Sequence, residues 1–173
     1  AGEFVQGAST ITQQLSKMLF TETPGNGIQR VFQKFQEWII AVRLERQYTK
    51  DEIVTLYLNK FDWINNAVGI KSASSVYFGS EPDSLRIEQA AMLIGMAKGP
   101  DLYNPVRRPE SAIDRRNTVL SQMVRNDYLT RAEYDSLADL PLGLKFQTVD
   151  HKEGLAPYFR EVLRAELKEM FSE

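Results

Sequence analysis

Gly7-Ala8-Ser9-Thr10-Ile11-Thr12-Gln13-Gln14-Leu15-Ser16-Lys17 is the stretch from which the architecture is read. Thr10 followed three residues later by Gln13 has capping-box spacing, in which a hydroxyl and a side-chain amide satisfy two orphan N–H groups of a helix start. The same spacing recurs at Thr49 with Glu52 and at Thr130 with Glu133. Helical periodicity predicts helices over 9–20, 28–47, 50–59, 67–77, 84–97, 109–126, 130–137 and 157–171. Turn signals punctuate them: Pro24-Gly25-Asn26-Gly27, Gly79-Ser80-Glu81-Pro82, Gly99-Pro100 and Asn104-Pro105. Alternation is nearly absent, apart from a strand candidate at Leu144, Phe146 and Thr148. The fold class is therefore all-α.

A chain of 173 residues fits one domain and buries roughly two-thirds of its unfolded surface without disulfide or metal staples. Its composition, 43% hydrophobic and 25% charged, is that of a globular domain, and a net charge of -2 argues against wholesale nucleic-acid wrapping. With no Cys, thiolate catalysis and Cys-based zinc are excluded, and the redox compartment stays open. No run approaches the ~20 apolar residues of a membrane span; the longest, residues 90–97, suits a buried helix. Residues 1–4, Ala1-Gly2-Glu3-Phe4, read as an expression scar, so the chain is expected to be a fragment. Residues 138–156 are irregular and lead to a terminal helix that docks here or continues into another domain.

The opening run concentrates hydroxyls, amides and a cation where a helix start offers free N–H groups and a positive dipole end, an arrangement suited to phosphate. Gln13 and Lys17 are i, i+4 neighbours and Gln14 and Lys17 are i, i+3, so one face presents amides beside an ammonium. That face suits sugar hydroxyls and a phosphate; the plain alternative is a cap followed by a solvated face.

In the second helix Ile28, Val31, Phe32, Phe35, Ile39 and Val42 share one face, which periodicity assigns to the core. Glu37 points nearly opposite, yet Ile40, Ala41 and Leu44 share its side, so two environments stay open for its carboxylate, partial desolvation or the solvated surface. Burial raises a carboxyl pKa and Lys34, three residues earlier, pulls it down; the plain reading is an i, i+3 surface salt bridge.

His151 stands alone in the connector without the partners a metal site or triad needs. Residues 101–108 read as a rigid turn with a basic end. Arg115 and Arg116 are expected to form salt bridges to neighbouring helices, and Trp38, Phe61 and Trp63 to be core or interface aromatics.

Taken in order, GASTITQQLSK, QKFQE, KDEIVTLYLN, ASSVYFG and RRNTVL resemble the glycosyltransferase domain of class A penicillin-binding proteins, the family 51 peptidoglycan glycosyltransferases. The likeness covers most of residues 6–126; residues 5–137 are read as a partial glycosyltransferase domain and 138–173 as a connector and helix toward a transpeptidase domain. The resemblance implies a lysozyme-like helical lobe and a smaller membrane-facing lobe. It implies polymerisation of lipid II, a disaccharide-pentapeptide on undecaprenyl pyrophosphate, into a nascent glycan strand at the outer face of the bacterial cytoplasmic membrane. Other cell-wall synthesis proteins are implied partners, and nucleic acid is not.

By the same resemblance, Ser9, Thr10, Thr12, Gln13, Gln14 and Lys17 belong to the donor-site motif that binds sugar and pyrophosphate. The segment QKFQE matches a family motif R-K-x-x-E, making Glu37 the second catalytic acid and Lys34 its basic partner. Gln33 replaces the family Arg, and Arg30 is the candidate to supply that charge. Lys50, Ile53, Tyr57 and Asn59, with Arg115, Arg116, Val119 and Leu120, match motifs of architectural role. No cofactor is evident, and the resemblance admits a divalent cation such as Mg2+.

The family's upstream general-base segment, E-D-x-x-F-x-x-H-x-G, has no counterpart in this sequence, since Glu3 and Phe4 do not reproduce its spacing. The expectation is a fragment that keeps the donor pocket but turns over poorly, because a general base is worth roughly 10²–10⁴-fold. Uncovered core surface is expected to lower stability or promote association. Two other readings stay open: a lysozyme-like muramidase with Glu37 as general acid, and a non-catalytic module that binds lipid-linked sugar.

Overall fold

The computed structural model describes residues 10–20, 27–147, 162–163 and 166–167. Seven named α-helices follow in order: α1 Ile11–Phe20, α2 Gly27–Gln47, α3 Lys50–Lys60, α4 Ile70–Phe78, α5 Ile87–Met96, α6 Pro109–Arg125 and α7 Arg131–Ala138. A short 3-10 turn, Pro82–Ser84, precedes α5. The described residues contain an isolated antiparallel bridge between Asp62 and Val68 and no strand, so the chain is all-α. Most of the expected helix 157–171 lies outside the described residues, as do Ser9, Thr148 and His151.

The three predicted caps form. Thr49 Oγ1 accepts from Glu52 N at 3.3 Å while the Thr49 N–H donates to Glu52 Oε2 at 2.7 Å; Thr130 and Glu133 repeat this at 3.3 and 2.7 Å. Thr10 and Gln13 exchange the same pair of bonds at 3.2 and 3.3 Å. Each pairing is local, joining residues three apart, and therefore needs no tertiary information.

Gly69 opens α4 at φ +83°, and a Cβ there would lie 2.8 Å from the Asn59 carbonyl oxygen. Only glycine accommodates both the backbone angle and that approach. The segment after α7 runs beside the end of α4: Lys145 and Gln147 N–H groups donate to the Tyr77 and Val76 carbonyls at 2.9 Å. This corrects the strand reading of Leu144 and Phe146, because the alternating segment satisfies orphan carbonyls of a helix end instead of joining a sheet.

Trp63, Tyr77, Phe78, Met92, Leu93 and Met96 make the main core, joined by α6 through Ala112. The Trp63 indole N–H donates to the Leu93 carbonyl at 3.1 Å, so the ring is buried with its polar edge satisfied. A second cluster, Leu15, Leu44, Ile53 and Tyr57, holds α1, α2 and α3 together. Leu58 and Phe61 touch both clusters and couple the two halves of the fold.

Two expectations about the basic and apolar faces are corrected. Arg116 is fully buried, but its guanidinium donates to the carbonyls of Leu140 at 2.7 Å and Ala138 at 2.8 Å, rather than making a salt bridge. A planar fork of donors suits the diverging carbonyls after α7 better than one carboxylate does. Arg115 lies over the Tyr103 ring, 5.6 Å from its centroid, and makes none of the salt bridges found among the described residues.

The second correction concerns α2. Its buried residues are Gln33, Glu37, Ala41 and Leu44, whereas Val31, Phe32, Phe35, Trp38 and Ile39 are exposed, Phe32 by 67% and Trp38 by 58%. The apolar stripe assigned to the core therefore faces outward. Both faces of the helix carry apolar residues, and the Glu37 side is the one that Leu15 and Ile53 meet. Periodicity reports that a stripe exists, not what covers it.

Candidate functional site

The face of α1 that packs on its neighbours carries Thr12, Leu15 and Ser16. A helix that buries these three at i, i+3 and i+4 must turn Gln14 and Lys17 outward, and both are exposed. Gln13 is half-buried and its Oε1 accepts from the Thr10 N–H. Thr10 and Gln13 thus form a cap, while Gln14 and Lys17 remain on the open face. Thr12, grouped with them by sequence, is buried against the core side and lines a separate cleft of ≈ 450 Å³ with Ile11, Glu45, Tyr48, Lys50, Ile53 and Val54. Ser9 lies outside the described residues.

The second motif reaches the first through one hydrogen bond. Ser16 Oγ donates to the Glu37 carbonyl at 3.1 Å across 21 positions of sequence, which sets α2 against α1 one residue before Lys17. Lys34 Nζ lies 2.7 Å from Glu37 Oε2, with side-chain exposures of 60% for Lys34 and 3% for Glu37. The expected i, i+3 pair is present, but it is not a surface pair. Its carboxylate is withdrawn from water and its ammonium stands at the surface. Charge-assisted bonds of this length offset part of the cost of burying an anion.

Beside this pair, Gly27, Arg30, Val31, Lys34, Phe35 and Trp38 line an open cleft of ≈ 460 Å³. Two cations thus border an apolar groove, a combination suited to a ligand with an anionic head and a hydrocarbon tail.

Sequence reading assigned Tyr57 to architecture, yet its hydroxyl donates to Gln14 Oε1 at 3.2 Å. Burial pushes the phenol pKa up from its ordinary value, so it stays a protonated donor. The only signal in the sequence was Ile53 and Tyr57 at i, i+4, which marks a buried face without naming its partner.

Among the described residues no group of three or more His, Asp or Glu side chains converges, and Glu37 already faces an ammonium. A hard divalent cation needs several oxygen donors. No helix among the described residues is long and apolar enough to cross a membrane.

Comparison with known proteins identifies the family. A family model described as transglycosylase matches residues 1–124. Penicillin-binding protein 1A of Aquifex aeolicus (strain VF5) is 38% identical over 165 residues, covering 95% of this chain and 22% of the relative. Penicillin-binding protein 1A of Escherichia coli (strain K12) is 36% identical over 173 residues, covering all of this chain and 20% of the relative. The crystal structure of penicillin-binding protein 1A from Haemophilus influenzae superposes with a TM-score of 0.53 at 25% identity, over 94% of this chain and 20% of that one. The chain thus spans less than a quarter of the length of these relatives. On the family match and the relatives' identity, this chain belongs to the transglycosylase family, as a peptidoglycan glycosyltransferase domain of the class A penicillin-binding protein type.

Proposed function

We propose that the domain binds a lipid-linked sugar pyrophosphate of the lipid II type at the outer face of the cytoplasmic membrane and holds the pyrophosphate that departs from the anomeric carbon as an acceptor hydroxyl bonds to it. The observation that carries this reading is the Lys34–Glu37 pair, buried at the carboxylate and open at the ammonium. A carboxylate placed directly on a departing pyrophosphate would repel it. Glu37 therefore works through Lys34: it fixes the ammonium, which keeps donors free to neutralise charge on the leaving group. Arg30 adds a second cation on the same groove. From α1, Gln14 and Lys17 contribute amide and ammonium donors for sugar and phosphate oxygens.

The exposed stripe Val31, Phe32, Phe35, Trp38 and Ile39 supplies the membrane contact. An apolar helix face with aromatic residues, bordered by Arg30 and Lys34, has the chemistry of an interfacial helix on an anionic leaflet. A lipid-linked substrate would then meet the cations at headgroup depth, with its polyprenyl chain in the bilayer.

Binding of lipid II in detergent micelles tests this. Lys17→Ala and Lys34→Ala are each expected to weaken binding about tenfold, the worth of one charge-assisted contact. A chain that ignores lipid II, or binds it equally after both substitutions, overturns the reading.

A further inference from the structure

On the donor face, the oxygen of the Gln14 amide is held by a residue from another helix. Tyr57 on α3 is 43 positions away and 6% exposed, and its hydroxyl donates to Gln14 Oε1 at 3.2 Å. Its ring cannot wander: Tyr57 belongs to the cluster of Leu15, Leu44 and Ile53, and its centroid lies 5.4 Å from that of Phe61. Phe61 in turn meets the fully buried Trp63 edge-on at 4.8 Å. The donor that reaches Gln14 is thus anchored in the main core.

A glutamine amide has two faces of opposite polarity, an oxygen that accepts and an NH2 that donates twice. An unheld amide on a helix surface samples both orientations, and one of them turns its oxygen toward an anionic ligand. We propose that Tyr57 is a positioning residue that holds the Gln14 amide with its oxygen inward and its NH2 outward, so that the site offers only donors to phosphate and sugar oxygens. This rests on Gln14 belonging to the lipid-pyrophosphate site. Tyr57 touches no substrate itself. Its contribution is preorganisation: the orientation is selected before the ligand arrives, so binding does not have to select it. Burial keeps the phenol protonated and hence a donor throughout the ordinary pH range.

The chain carries its own test, with lipid II in detergent as the probe. Tyr57→Phe keeps the ring and removes the donor; it is expected to weaken binding about three- to tenfold while leaving the unfolding midpoint nearly unchanged. Gln14→Ala is expected to weaken binding similarly, and the double variant to bind like Gln14→Ala alone, because Tyr57 acts only through that amide. Gln14→Glu accepts the Tyr57 hydrogen bond but presents no donor, so it should bind more weakly than Gln14→Ala. Tyr57→Phe binding like the unaltered chain, losses that multiply in the double variant, or Gln14→Glu binding normally would each overturn the proposal. A second measurement needs no ligand. The side-chain carbon and nitrogen NMR signals of Gln14 should shift on Tyr57→Phe while the methyl signals of Leu44 and Ile53 hold; an unmoved Gln14 overturns the proposal. If the unaltered chain binds no lipid II, the functional reading fails on its own, and the NMR result still decides whether Tyr57 orients Gln14.

Discussion

Ser16 Oγ donates to the carbonyl oxygen of Glu37 at 3.1 Å, and both residues are buried where α1 packs on α2. This bond joins the two motifs that carry the candidate site. Ser16→Ala should cost about 1 kcal/mol, the net worth of one buried hydrogen bond. Ser16→Leu should cost about 1–3 kcal/mol by overpacking, since the residue has no exposed surface. Urea unfolding measures both, and a Ser16→Leu chain as stable as the parent would mean that the helices do not meet here.

The α2 stripe should matter for membranes and not for folding. Phe32 and Phe35 are already exposed, so changing both to Ser should shift stability by no more than about 0.5 kcal/mol per site. The same change should reduce co-sedimentation with phosphatidylglycerol vesicles by about tenfold or more, because two aromatic side chains leave the interface. Unchanged sedimentation would remove the stripe from the membrane reading.

Arg116 has the opposite profile. Burial lowers its pKa while the nearby Glu88 carboxylate raises it, and its donors satisfy the Ala138 and Leu140 carbonyls after α7. Arg116→Met takes the charged donors from those part-buried carbonyls and empties a fully buried position of its polar fork, at a cost of about 2–4 kcal/mol. Arg116→Lys should recover little of it, since one ammonium cannot reproduce the fork. Chemical denaturation of both variants checks the ordering.

Acid should weaken the caps of α3 and α7. Hydrogen bonds from the backbone N–H, and then the hydroxyl, of Thr49 and Thr130 hold the Glu52 and Glu133 carboxyls below their ordinary pKa. A carboxyl depressed in the folded state adds stability above its unfolded pKa, and this is lost as pH falls through the folded value. The melting temperature should therefore drop on acidification below about pH 4.3. In calorimetry from pH 7 to pH 3, a Glu52→Gln, Glu133→Gln chain should show a shallower drop than the parent.

The parts of this molecule that were legible in advance share a physical property: they are decided within one turn of helix. Thr10, Thr49 and Thr130 cap because a partner stands three residues on. Lys34 finds Glu37 for the same reason, yet its surroundings were not legible, because burial of the carboxylate depends on α1 lying above it. Trp38 and Trp63 look alike in sequence; one is 58% exposed and the other is sealed against Leu93.

The sequence by itself determined the seven helices of the described residues, the starts capped by Thr10, Thr49 and Thr130, the motif order that marks the family and the polar face of α1, since each depends on neighbours one to four residues apart. Only the tertiary structure decided that α2 turns Glu37 inward and its aromatic stripe outward, that Arg116 binds carbonyls, and that Tyr57 reaches Gln14. The reason is geometric: periodicity gives a helix its faces, while the partner that covers a face comes from residues tens of positions away, and the lowest free energy of the assembled helices selects it.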